Sequence, residues 1–265
     1  PMQPGSVVPL QYSEILVLLS FVISALGAYV ALVAASRIRD DDGRISLGYL
    51  AVSALALGGV GIWGMHFIGM AAQRMPFPVS YSLWPTLGSL LLAVVVSGAA
   101  LWYVARAPYR NALQCAIAGV AGGLGVAGMH YLGMSAMRTQ AYFEWDTTII
   151  ALSILIAIVA ASVALWLAFH LETTLQRVLA SLVMAVAVCG MHYTGMRAGT
   201  IICTAATPAQ ISIRLHGDTL PYGVFLIACV VLLAMGVLLY RTSRRRRERM
   251  AARLDALMRQ RAGQV

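Results

Sequence analysis

A chain of 265 residues that is 60% hydrophobic and 11% charged, with a mean hydropathy of +0.80, is too apolar for a water-soluble globule. All of its basic side chains are arginine, and nine of the nineteen crowd into residues 241–261 directly behind the last apolar segment. The net charge of +9 therefore speaks for lipid headgroups and membrane topology, and against nucleic acid.

In chain order, apolar runs long enough to cross the roughly 30 Å hydrocarbon core as helices fall at residues 12–36, 47–70, 83–105, 112–134, 147–169, 178–196 and 221–240. They are continuous rather than alternating, which argues against a β-barrel. The first run has no basic segment ahead of it and is too long for a cleaved leader, so it is expected to stay as a helix. Assigning the connections alternately puts Arg37, Arg39, Arg44, Arg106, Arg110, Arg177 and the nine arginines of the tail on one side. Arg74, Arg138, Arg197 and Arg214 fall on the other. Fifteen against four predicts an external N-terminus and a cytoplasmic C-terminus. The four cysteines, Cys115, Cys189, Cys203 and Cys229, form no CxxC pair, and three lie in apolar runs, so no disulfide framework is expected.

One motif recurs three times: GMHFIGM at 64–70, GMHYLGM at 128–134 and GMHYTGM at 190–196. The histidines stand 64 and 62 residues apart, and each interval holds two apolar runs. The chain thus reads as an all-α integral membrane protein of seven transmembrane helices, with three parallel helix-pair repeats and a seventh, output helix. Residues 1–240 form the membrane domain and 241–265 a basic cytoplasmic tail that continues as a signalling helix. GGVGIWG and GGLGVAG ahead of the first two histidines superficially resemble a dinucleotide loop, but small residues inside an apolar span let helices approach closely.

On a helix, positions four apart share a face, so His66 stacks with Met70, His130 with Met134, and His192 with Met196. Met65, Met129 and Met191 point about a quarter-turn away. Imidazole with thioether suits copper, above all Cu(I), whereas zinc prefers Cys, His and carboxylate, and calcium and magnesium want oxygen. Haem with His/Met ligation competes for the same residues, and hydrogen-bonded core packing is the plainer alternative. Eight of the thirteen methionines, including Met75 and Met137, fall at or just past the outer ends of these three helices, which packing alone does not explain. Cys189, on the same face as His192, matches Trp63 and Ala127 in the other copies, so packing is its expected role. His170 is expected at a membrane interface and His216 in solvent. Glu14, Glu144, Asp146 and Asp218 show no spacing for acid–base catalysis.

MHYT at Met191–Thr194, with its relatives MHFI and MHYL, resembles the bacterial MHYT domain, and the resemblance covers about residues 12–240. It implies an integral membrane sensor of the bacterial cytoplasmic membrane, itself not an enzyme, with a copper site made from these His and Met side chains. It further implies sensing of oxygen, carbon monoxide or nitric oxide, or of redox or metal state, and output through cyclic di-GMP synthase or phosphodiesterase domains. Phe67 departs from the motif, which has Tyr131 and Tyr193 in the other copies. The 265 residues leave no room for a cyclase, so output is expected from a further domain or a partner. Met250, Leu254 and Leu257 at coiled-coil-like spacing leave a homodimer open. The alternatives are a copper or proton transporter or channel, and a haem-binding electron-transfer protein.

Overall fold

A computed structural model of the chain describes residues 3–40, 42–107, 111–205 and 213–262. Among them, seven helices are long and apolar enough to cross a membrane: α1 (Glu14–Ala35), α2 (Leu47–Ala72), α3 (Leu83–Arg106), α4 (Ala112–Ser135), α5 (Thr147–His170), α6 (Thr174–Arg197) and α7 (Leu220–Ala262). Local chemistry sets where they begin. Asn111 and Gln114 close a reciprocal capping box on α4, Thr173 and Gln176 close one on α6, and Asp146 accepts the Thr148 and Ile149 amides of α5. The α6 box explains why that helix starts at Thr174, four residues ahead of the apolar run: its first turn is polar but capped. Likewise α7 does not end with its apolar run but continues through the arginines as one 43-residue helix.

Helices α1 to α6 each pack on the next in sequence, and α6 packs back on α1, which closes a ring. Within it, α2, α4 and α6 also touch one another. Helix α7 stands outside the ring against α1 and α2, through Val224, Ala228, Leu232 and Met235. Glycines let the ring close tightly. A Cβ at Gly27 would lie 2.6 Å from the Gly61 amide nitrogen, and one at Gly58 2.5 Å from the Ala93 carbonyl oxygen. Helix α2 differs from its counterparts over Leu55–Gly64, which winds as a π-helix directly ahead of the first motif.

The connections that follow α2, α4 and α6 build a lid over one end of the ring. Strands β1 (Ser80–Ser82), β2 (Met137–Arg138) and β5 (Arg214–His216) form an antiparallel sheet in the order β2-β1-β5. Strands β3 (Ala141–Trp145) and β4 (Gly199–Cys203) pair antiparallel from Ala141↔Cys203 to Trp145↔Gly199, and the N-terminal segment joins through Val7↔Ile202 and Tyr12↔Gln73. These strands are two to five residues long and pair only across distant connections, so no local pattern announces them. The opposite end of the ring carries Arg37, Arg39, Arg44, Arg106 and Arg177, while Arg110 lies outside the described residues.

Candidate metal centre

The three motif histidines meet on the axis of the ring, just beneath the lid, and are fully buried. The Nδ1 of His66 lies 3.1 Å from Nδ1 of His130 and 3.1 Å from Nδ1 of His192. The rings stand edge-on to one another, with centroids 4.9, 5.0 and 5.1 Å apart. Helical periodicity alone brings each imidazole to the inner face of its helix. Their meeting at one point requires α2, α4 and α6 to share the centre of the ring.

Each imidazole is held from behind by the second glycine of another motif copy. A Cβ at Gly133 would clash with Nε2 of His66, one at Gly195 with Nε2 of His130, and one at Gly69 would stand 2.5 Å from Nε2 of His192. The contacts run in a cycle, copy one onto two, two onto three, three onto one. The leading glycines have no such duty: a Cβ at Gly190 meets nothing within 4 Å, and one at Gly128 only ordinary van der Waals contact. Within the motif, close approach thus falls on the second glycine, while Gly58 and Gly123 in the glycine runs ahead of it pack tightly on neighbouring helices as expected.

The residue after each histidine and the helix beside it repeat a second pattern. Phe67, Tyr131 and Tyr193 each meet the edge of an aromatic ring placed two residues ahead of a helix: Tyr81 before α3, Trp145 before α5 and Tyr12 before α1, at 5.5, 5.6 and 5.4 Å. Eight residues beyond each of these lies a buried serine: Ser89, Ser153 and Ser20. Every serine donates to the carbonyl three residues back, on Thr86, Ile150 and Val17. It then accepts a hydrogen bond from a motif helix. Tyr131 donates to Ser153 at 2.7 Å, and Tyr193 to Ser20 at 2.9 Å. Phe67 has no hydroxyl, and the indole of Trp63 donates to Ser89 at 3.0 Å in its place. These serines were not singled out from the sequence. The signal was there, since Ser89 and Ser153 share the 64-residue interval of His66 and His130.

The six motif methionines are all buried but divide into two sets. Met70, Met134 and Met196 gather in one cluster with Met137, Phe67 and Tyr81, a helical turn beyond the histidines and under the lid. Met65, Met129 and Met191 go to three different places. Met65 packs among residues of α1, α2 and α7, Met129 against Ile62 and Ala93, and Met191 against Ala127 and Ala157. Met75 lies at the lid beside Val8 and Ile201. Cys189 packs in the cluster shared by α1, α2 and α7, Asp146 caps α5, and His170 stacks on Trp166 at the exposed end of α5.

The geometry fits a cation. The three Nε2 atoms are buried and without a hydrogen-bond partner, while the Nδ1 atoms converge. Three neutral imidazoles carry three N–H groups and three lone pairs, and with the protons on Nε2 all three Nδ1 lone pairs face one point, where a cation accepts them together. Imidazole nitrogens about 2.0–2.1 Å from one ion stand roughly 2.9–3.4 Å from each other for angles between about 90° and 109°. The 3.1 Å separations fall in that window. Among the described residues, His66, His130 and His192 are the group of metal-ligating side chains that converges in this way.

On the same axis, away from the lid, lies a cavity of about 70 Å³ lined by all six ring helices. Ile62, Val126 and Val188, each one turn before a motif histidine, line its near end, and Leu32, Leu101 and Leu165 its far end. Apart from the hydroxyls of Ser53 and Ser97, its side chains are apolar.

Residues 59–118 and 123–181 each match the family model MHYT, described as a bacterial signalling protein N-terminal repeat. The two matches contain the first and second motif copies. Over 194 residues the chain is 43% identical to the bifunctional diguanylate cyclase/cyclic di-GMP phosphodiesterase MucR of Pseudomonas aeruginosa, covering 71% of this chain and 28% of that protein. It is 37% identical to the cyclic di-GMP phosphodiesterase NbdA of the same organism, over 80% of this chain and 27% of the relative. It is 31% identical to the signaling protein YkoW of Bacillus subtilis, over 75% and 25%. The chain thus spans about a quarter of the length of the curated relatives it matches. No solved structure matches it.

Proposed function

This chain belongs to the MHYT family, and we propose that it is the membrane sensor module of a signalling system, with a copper ion as its resident metal. One observation carries the reading: three buried imidazoles whose Nδ1 atoms converge at 3.1 Å while their Nε2 atoms are sealed against glycine. His66, His130 and His192 hold the ion, and the thioethers of Met70, Met134 and Met196 form the next layer toward the lid, where soft sulfur favours Cu(I). Met65, Met129 and Met191, in separate packing clusters, anchor the motif helices to their neighbours. When bound, copper supplies a redox-active centre that accepts a small uncharged ligand. Imidazoles this close leave no space for a porphyrin between them, which favours a bare ion over haem.

The protein's own part is to exclude water, hold the donor set and pass on its state. The lid and the ring bury the site, and the apolar cavity beside it suits an uncharged diatomic molecule, because cavities of this lining stay dry and take up apolar guests. The same lining makes an ion path along the axis costly and weighs against transport. Met65, adjacent to His66, packs in one cluster with Val224, Ala228, Leu232 and Met235 of α7, so a displacement of α2 at the metal reaches the helix that leads into the arginine-rich tail. With the N-terminus outside and the tail in the cytoplasm of a bacterial inner membrane, that helix biases an output supplied by a further domain or a partner. The names of MucR and NbdA make cyclic di-GMP turnover the output of choice.

Metal analysis tests the reading. The purified chain should carry roughly one equivalent of copper after supplementation under reducing conditions, and His130→Ala less than about a tenth of that. Absence of copper from the wild-type protein in both reduced and oxidised preparations would end it. With copper bound, carbon monoxide or nitric oxide should shift the absorption spectrum, and the His130→Ala protein should not respond.

A further inference from the structure

At the end of the ring away from the histidines, a groove of about 440 Å³ opens between α1, α7 and the start of α6. Its walls are of two kinds. Tyr29, Val30 and Val33 on α1, with Gly236 and Leu239 on α7, belong to the last turns of the apolar spans. Arg37, Arg244 and Arg247 stand beyond them, where the spans give way to the arginine run, and Thr174, first residue of α6, completes a polar rim. Arg37 donates to the Leu239 carbonyl at 3.1 Å and to the Ser243 hydroxyl, and its guanidinium retains further N–H groups. Arg244 pairs with Glu248 at 3.0 Å, both of them exposed, so the three guanidiniums of the rim still exceed the nearby carboxylate. Gly236 gives the groove its depth, since a Cβ there would meet nothing within 4 Å.

We propose that this groove binds an anionic phospholipid from the adjoining leaflet. Its phosphate sits on Arg37, Arg244 and Arg247, and one acyl chain lies along Val30, Val33 and Gly236 between α1 and α7. Two features select this occupant. A soluble anion has no use for the apolar wall, and a zwitterionic lipid has no net charge to meet three arginines. A wedge-shaped site that is apolar within the span and basic at its edge matches the glycerophosphate end of a lipid. It does not match a peptide strand, because helices offer no free edge. The consequence is mechanical: the lipid ties α7 to α1 and α6 at the point where α7 leaves the membrane. The inference is independent of the metal reading, since no residue is shared between the two sites.

The test uses the full chain in phosphatidylcholine nanodiscs with and without phosphatidylglycerol, read by native mass spectrometry of retained lipid and by thermal melting. One phosphatidylglycerol should be retained in preference to phosphatidylcholine and should raise the melting temperature. Arg244→Gln with Arg247→Gln should lower that retention roughly tenfold or more. Gly236→Leu, which keeps every charge and fills open space, should lower it too. Arg253→Gln with Arg259→Gln, changing tail arginines outside the groove, should leave it unchanged. An equal loss in this last variant would reduce the effect to diffuse surface charge and overturn the proposal. Undiminished retention in Gly236→Leu would do the same, as would competition by inorganic phosphate or glycerophosphoglycerol as effective as by the lipid.

Discussion

The first motif copy and the other two do one job at the histidine and different jobs around it. All three seat an imidazole against a neighbour's glycine and send an aromatic residue to an edge-on partner, with centroid separations that agree within 0.2 Å. Copies two and three complete the set with a phenol on a serine. Copy one does so with Trp63, a residue on the preceding turn whose counterparts are Ala127 and Cys189. Copy one also follows a π-helical stretch and sets its leading methionine against α7. The donors at the centre are equivalent, and the asymmetry lies in the shell that connects them to the rest of the molecule. That division suits the proposed sensor, with one symmetric site and one exit.

The sharpest way to break this comparison is at the glycines. Gly69→Ala, Gly133→Ala and Gly195→Ala should each displace an imidazole, cost about 1–3 kcal/mol and lower copper content comparably. Gly190→Ala, with open space around it, should stay within about 0.5 kcal/mol of wild type. A loss confined to one of the three would show that the centre is not equivalent. Thermal melting with metal analysis reads both effects.

The serine pairs offer the next test. Tyr131→Phe and Tyr193→Phe should each cost about 1 kcal/mol for one lost hydrogen bond. Trp63→Phe should cost somewhat more, since it also removes ring volume, about 1–3 kcal/mol. Phe67→Tyr in the Trp63→Phe background should recover part of the loss, if the hydroxyl of copy one can reach Ser89 as its counterparts reach theirs. No recovery would mean that the π-helical turn has moved copy one out of register.

Alkaline pH examines the aromatic partners in the lid. Burial raises the Tyr81 phenol above its ordinary value, and burial likewise raises that of Tyr12, partly offset by Arg197. A raised phenol is neutral in the folded chain where the unfolded chain has ionised, so stability holds below about pH 10 and falls above it, by at most about 1.4 kcal/mol per pH unit for each group. Tyr81→Phe should flatten the fall in melting temperature between pH 9.5 and 11 more than Tyr12→Phe does. Met65→Leu and Met129→Leu should each change stability by less than about 1.5 kcal/mol. Only the former should reduce a copper-dependent change in hydrogen exchange over residues 220–240, because only Met65 lies against α7. Equal effects from both would place the exit elsewhere.

Much of the centre was legible because helices convert spacing into faces. The 64- and 62-residue intervals, the i,i+4 pairing of histidine with methionine and the apolar runs needed no more than the period of an α-helix and the thickness of a bilayer. Those rules are local, and they were sufficient to single out His66, His130 and His192 and the seven helices. They were insufficient for the methionines, which share one motif yet part into a common cluster and three separate ones, because a quarter-turn on each helix faces a different neighbour once the ring closes. They missed the lid, whose short strands pair across connections far apart in the chain, and the serines, whose meaning depends on a partner some twenty residues away for Ser89 and Ser153 and 173 residues away for Ser20. By itself the sequence determined which side chains share a helix face and which segments are apolar enough to span. Tertiary structure alone decided which faces meet, because the closure of α6 onto α1, and with it the convergence of three imidazoles on one point, is a contact between segments that no local periodicity relates.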